Sequence, residues 1–213
     1  TDRPGQRWHL LCQVIDNFGD AGVMWRLARQ LHEEHGCHVH LFIDQPEVLE
    51  RLAPEAERPP VAVSRLDDDA AVSQDADVIV CGFQVRLPRK ARAALKNRPS
   101  GPPQLIQLEY LSAEDWVADG HGLPSLQPDG LTEHFFNPGF SADTGGLLRE
   151  RDLLQRRDAF LADPARRHQW LTAHGIQPDF PDRATAEAPS PAGRPLLASV
   201  LCYPSAPRLA WLT

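Results

Sequence analysis

With 213 residues, 42% of them hydrophobic and 24% charged, the chain has the composition of a globular protein with room for one large domain and the opening of a second. Its 22 Lys and Arg against 29 Asp and Glu leave a net charge of −7, which argues against a nucleic-acid partner and against a polybasic membrane patch. No apolar run approaches the roughly 20 residues of a membrane span, and Thr1-Asp2-Arg3-Pro4-Gly5 lacks the apolar segment of a signal peptide, so a cytoplasmic location is expected.

Residues 8–15 are mostly apolar and end in Asp16-Asn17-Phe18-Gly19-Asp20, a strand followed by a tight turn. Val23, Leu27 and Leu31, flanked by Met24 and Ala28, then recur at helical spacing over about 20–35, with Gly36 placed to end the helix. Strands are expected at 38–44, 61–64, 77–81 and 104–108, with helices at 46–52 and 88–95 between them. This alternation predicts an α/β fold, a Rossmann-like doubly wound parallel sheet. Residues 112–140 read as loop with aromatics, 147–160 and 164–174 as two helices, and 178–195 as a Pro- and Ala-rich linker. An apolar strand restarts at 195–203. The expected organisation is a first domain at 1–176, a linker at 177–194, and at 195–213 the opening of a second domain that is largely missing.

The four cysteines, Cys12, Cys37, Cys81 and Cys202, form no C-x-x-C pair and are expected to be reduced core thiols. His32, His35, His38 and His40 lack metal-ligand spacing, because Gly36 stands where the second histidine of a zinc helix would be; no metal site is expected. The run Asp67-Asp68-Asp69 reads as a solvated turn, and Trp25, Trp116, Phe135, Phe136 and Phe140 as packing aromatics.

In open α/β sheets ligands gather at the first strand-to-helix turn, here Asp16-Asn17-Phe18-Gly19-Asp20-Ala21-Gly22. Gly19 and Gly22 match the end of a dinucleotide fingerprint, with Asp44 about where a ribose-binding acid belongs, so a nicotinamide-dependent oxidoreductase is one alternative. Asn17 in the first glycine position and the carboxylates of Asp16 and Asp20 weigh against it. Two negative charges outweigh the roughly half positive charge of a helix N-terminus, so a pyrophosphate is disfavoured there. A guanidinium, which carboxylates grip by paired hydrogen bonds, suits the turn better. On spacing alone, helix capping and ordinary turn chemistry account for Asp20, and still more for Asp16, better than a binding site does.

The same stretch, with Trp25-Arg26-Leu27-Ala28-Arg29-Gln30-Leu31 after it, resembles the opening signature of the elongation factor P arginine rhamnosyltransferases. Leu108-Glu109-Tyr110-Leu111-Ser112-Ala113-Glu114, His121-Gly122-Leu123-Pro124-Ser125, Phe135-Phe136 with Pro138-Gly139-Phe140, and Thr144-Gly145-Gly146-Leu147-Leu148-Arg149-Glu150 continue the likeness in order. It implies the first, acceptor-facing domain of a GT-B glycosyltransferase that moves L-rhamnose from dTDP-β-L-rhamnose to an arginine of translation elongation factor P, with inversion and without a metal or other cofactor. By that likeness Asp16 and Asp20 are the essential carboxylates, and Asn17, Phe18, Gly19 and Tyr203 contact the donor. Glu109 and Tyr110, at the end of a central strand, either line the acceptor site or serve capping and edge packing. A domain that binds the acceptor protein without modifying it is the other alternative.

Overall fold

The computed structural model describes residues 5–16, 18–54, 60–67, 72 and 75–176. The expected linker and second-domain strand therefore lie outside the described residues, as do Asn17, Cys202 and Tyr203. The chain divides into two compact units, Thr1–Arg151 and Asp152–Thr213.

In the first unit the strands are β1 (Arg7–Cys12), β2 (His38–Ile43), β3 (Ala62–Arg65), β4 (Val78–Gly82), β5 (Gln104–Leu108), β6 (Pro124–Leu126) and β7 (Thr132–Phe136). The helices between them are α1 (Gly19–His35), α2 (Pro46–Leu52), α3 (Arg89–Lys96) and α4 (Trp116–Gly120). One sheet holds all seven strands in the order β3-β2-β1-β4-β5-β7-β6, parallel except for β6, which runs antiparallel to β7. That is the Rossmann order, with the switch point between β1 and β4.

Both faces of the central strands are buried, which is why β1 and β4 read as near-continuous apolar runs. Leu10, Leu41, Val78 and Val80 pack with Ala21, Met24, Trp25 and Ala28 of α1, while Leu11, Phe42, Ile79 and Cys81 pack on the other side with Ala91 and Leu95 of α3. Helices thus cover opposite faces, as a doubly wound sheet requires. The buried stripe of α1 runs through 21, 24, 25 and 28, with Leu27 and Leu31 packed partly buried against the same core as expected, while Val23 is exposed. Gly36 ends α1 in the left-handed conformation, φ 66°, with its N–H on the His32 carbonyl and that of Cys37 on Leu31. At Gly82 the backbone of β4 lies so close to α1 that a Cβ would stand 2.7 Å from the Met24 sulfur.

Three stretches depart from the sequence pattern. β1 stops at Cys12 although apolar residues continue to Ile15, because side chains take over the backbone there: Val14 N–H donates to Asp44 and its carbonyl accepts from Gln45. The supposed loop at 112–140 contains α4, β6 and β7. β7 was masked by Glu133, a buried carboxylate in mid-strand that accepts from Arg92 at 2.6 Å and from Gln107 at 3.1 Å. Residues 147–152 are not helical, since their polar groups bind α1 instead: Glu150 holds Arg26 at 2.7 Å, the Arg149 carbonyl accepts from Gln30, and Arg151 N–H donates to Glu34.

The described part of the second unit is a pair of helices, α5 (Leu153–Ala162) and α6 (Pro164–Ala173). Asp163 caps α6 by accepting from Arg166 N–H, with Pro164 in the first turn, and Phe160 meets Trp170 edge-on.

Cys12, Cys37 and Cys81 are buried, and burial pushes the thiols of Cys12 and Cys81 up to about 12, so they stay protonated. Trp25 is a core residue, but Trp116 and Phe140 are 54% and 66% exposed and do not pack as expected.

His9 and His40 form an edge contact across β1 and β2, with His40 stacked on Phe42 at 4.0 Å. His9 Nδ1–H donates to the Val72 carbonyl. Burial first, and for His40 the neighbouring His9, hold both below the ordinary histidine value of 6.5. Their neutral forms are therefore favoured on folding. This stabilisation is complete above the unfolded value and is lost as pH falls through 6.5 toward the lowered folded values. The thermal midpoint should drop between about pH 7.5 and about pH 5, with a shallower drop in His40→Phe. Identical slopes in the two proteins would exclude the histidine pair as the cause.

Candidate active site

The carboxyl ends of β1, β4 and β5 bring three segments together at the switch point: the turn before α1, Phe83-Gln84 after β4, and Glu109-Tyr110 after β5. Asp20, in the first turn of α1, is only 2% exposed. Its Oδ2 accepts from the backbone N–H of both Ile15 and Asp16 at 2.9 Å, and its Oδ1 accepts from the Tyr110 hydroxyl at 3.2 Å. Asp20 is thus not an N-cap. It bonds backward to the turn that enters the helix, and it gives the N–H groups of a non-strand stretch the acceptors they need.

Each carboxylate oxygen offers two lone pairs. Oδ2 has both engaged, whereas Oδ1 has only Tyr110 among the described residues. Asp16 is exposed at the turn, and Gly19 keeps room for it: a Cβ there would stand 3.0 Å from an Asp16 carboxylate oxygen. Gly19 N–H also closes the turn on the Asp16 carbonyl at 2.8 Å. Phe18 is exposed beside them.

Tyr110 stacks on Phe83 with ring centroids 4.6 Å apart and planes 20° from parallel. Burial raises its phenol, and the charge and hydrogen bond of Asp20 raise it further, so it remains a donor. Phe83 and Gln84 are consecutive non-glycine residues at φ 56° and φ 68°, strain of the kind that gathers at functional sites. Neither had been singled out. The signal for them was positional, since the residues following the strand beside β1 at a switch point face the ligand crevice. Glu109, half-buried and held above its usual range by burial, lines a separate cleft with Gln84 rather than meeting Asp20.

Of the sequence-derived site residues, the turn therefore unites Asp16, Phe18, Gly19, Asp20 and Tyr110. Glu109 stands on the neighbouring side. The Asp44 carboxylate accepts from Val14 N–H at 2.9 Å. Among the described residues no group of three or more His, Cys, Asp or Glu is arranged to hold a metal ion, and no helix is long and apolar enough to cross a membrane.

The family model described as Elongation-Factor P (EF-P) rhamnosyltransferase EarP matches residues 8–213. The chain belongs to this family. It is 42% identical over 179 residues to a protein-arginine rhamnosyltransferase of Pseudomonas aeruginosa, an overlap of 80% of this chain and 47% of that protein. It is 43% identical over 178 residues to the like-named protein of Pseudomonas putida, covering 79% and 46%, and 35% identical over 191 residues to that of Shewanella oneidensis, covering 83% and 48%. The chain thus spans about half the length of the curated relatives it matches.

Asparagine can reproduce the Asp20 hydrogen bonds, with its carbonyl taking both N–H groups and its amide turned to the Tyr110 oxygen. Alanine leaves those donors without partners. Urea denaturation should show Asp20→Ala destabilised by about 2 kcal/mol or more, and Asp20→Asn by much less. Equal losses in the two variants would refute the anchoring role.

Proposed function

We propose that this chain contributes the acceptor-facing part of a GT-B protein-arginine rhamnosyltransferase, which transfers L-rhamnose from dTDP-β-L-rhamnose to an arginine of elongation factor P in the cytoplasm. One observation carries the reading: in a chain of this family, the strand-to-helix turn at the switch point offers two carboxylates, Asp16 exposed and Asp20 anchored, where a nucleotide-binding fold would offer bare glycine amides. Family membership also weighs against the nicotinamide alternative.

The acceptor arginine is a poor nucleophile because its guanidinium stays protonated, with a pKa above about 12. A carboxylate cannot deprotonate it beforehand. Asp16 and Asp20 would grip it as a fork and polarise one terminal nitrogen, whose proton leaves as the new nitrogen–carbon bond lowers its basicity. In this mechanism Asp20 takes the proton at Oδ1, beside the Tyr110 hydroxyl, and Asp16 orients the guanidinium. The nitrogen attacks the anomeric carbon from the side opposite the departing diphosphate, which inverts the configuration. Phe18 and Gly19 would lie against the donor sugar; Asn17 and Tyr203 are assigned to the donor by the family likeness alone. Glu109 would border the acceptor.

Intact-mass analysis of elongation factor P incubated with dTDP-rhamnose and a full-length protein containing this chain tests the assignment. One rhamnose per acceptor is expected, and none on an acceptor carrying Lys for the target arginine, since an ammonium cannot fill a fork built for guanidinium. Asp20→Asn should melt nearly as the parent does while transfer falls by about 10²-fold or more. Transfer unchanged in Asp20→Asn would remove Asp20 as the base, and absence of any transfer by the parent protein would remove the assignment itself.

A further inference from the structure

Asp20 is a carboxylate at 2% exposure with no Lys, Arg or His as an ion-pair partner among the described residues. The titratable groups around it supply no positive charge. Asp16 stands in the same turn, Cys12 ends β1 with its thiol protonated, Asp44 acts on that thiol from the end of β2, and Tyr110 follows β5. Phe83 and Gln84, after β4, carry no charge. A buried charge without a counter-ion is tolerated only when hydrogen bonds replace its hydration. Asp20 has three such bonds, two from backbone N–H groups and one from a side chain, the Tyr110 hydroxyl at 3.2 Å from Oδ1.

That hydroxyl is held in place through its ring. Phe83, 5% exposed, covers one face of Tyr110 with centroids 4.6 Å apart, and its own N–H donates to the carbonyl of Leu108, the last residue of β5, at 2.7 Å. Phe83 adopts φ 56°, a conformation that a bulky side chain avoids. The strained residue is thus the one whose ring backs Tyr110. Oδ1 carries two lone pairs, and with Tyr110 on one of them a single lone pair stays open among the described residues.

We propose that Tyr110 is a positioning residue for the base. Its hydroxyl leaves Asp20 one open lone pair and favours the charged carboxylate in a place that has no cation of its own until the acceptor guanidinium arrives. A donor on a carboxylate favours the charged form over the protonated one, and a hydrogen bond to a charged group shifts that balance by about tenfold or more. The inference rests on the reading of Asp20 as the base. It adds that the pH range of transfer is set in part by a residue that moves no proton itself.

Tyr110→Phe in the full-length protein tests this, because it removes the hydroxyl and keeps a ring on Phe83. The hydroxyl bonds to no other side chain among the described residues, so its loss acts on Asp20. Without the donor the protonated carboxyl gains, and transfer is lost sooner as the pH falls. The acid limb of kcat/KM for rhamnose transfer to elongation factor P should therefore move up by about one pH unit in the variant. On the plateau above that limb, the rate should stay within about threefold of the parent's, with affinity for the factor unchanged by calorimetry. A limb that stays at the parent's position overturns the proposal. With it, a rate lowered by the same factor at every pH marks a purely structural ring, and a weakened affinity for the factor marks a residue that only lines the acceptor; both leave the protein-arginine reading intact. A parent protein that transfers no rhamnose at any pH removes that reading, and this inference with it.

Discussion

The buried carboxylate of Asp20 is the constraint on which the site depends. One oxygen secures two consecutive backbone N–H groups of the turn, and the other secures Tyr110 from a strand two places away in the sheet. A charge taken out of water is tolerated only when such partners replace its hydration. The consequence is geometric: the entry to α1, the exposed Asp16 and the aromatic pair after β4 and β5 share one fixed reference point. Asp44 and Gln45 add a second restraint by holding both polar groups of Val14 from the end of β2.

The sheet supplies the frame for that arrangement. Its central strands are buried on both faces by helices whose small residues, Ala21, Ala28 and Ala91, permit close approach. At the right-hand edge the polar ties replace apolar ones. Arg92 of α3 binds two carboxylates of the β7 region, so this flank is held by directional, charge-assisted bonds around a cleft that an apolar core would have filled.

Most of the fold was legible because local pattern and tertiary burial agree in the central strands and in α1, where α2 and β5 even begin and end as the periodicity indicates. Legibility failed where long-range polar contacts overrule the local signal. Nothing near Ile15 announces that Asp20 will take its N–H, nothing in Thr132-Glu133-His134 announces that Glu133 is neutralised by an arginine 41 residues earlier, and the helical look of 147–152 gives no hint of its bonds to α1. In the site, the carboxylates and Tyr110 came from recognisable motifs, but the motif does not say that Asp20 faces back into the turn. Phe83 and Gln84 carry no composition signal; only their place after β4 does.

The close approach of Gly82 to Met24 has a chemical consequence of its own. Met24 is the single methionine of the chain and has no solvent exposure, and its sulfur fills the space that a side chain at Gly82 would need. A sulfoxide oxygen would be polar, bulky and without a partner there. Peroxide can reach that sulfur only when α1 lifts from the sheet, and the oxidised side chain then resists being packed back. The thioether is thus a built-in recorder of how often the helix that carries Asp20 parts from β4, readable as a gain of one oxygen in a protein left folded in dilute oxidant.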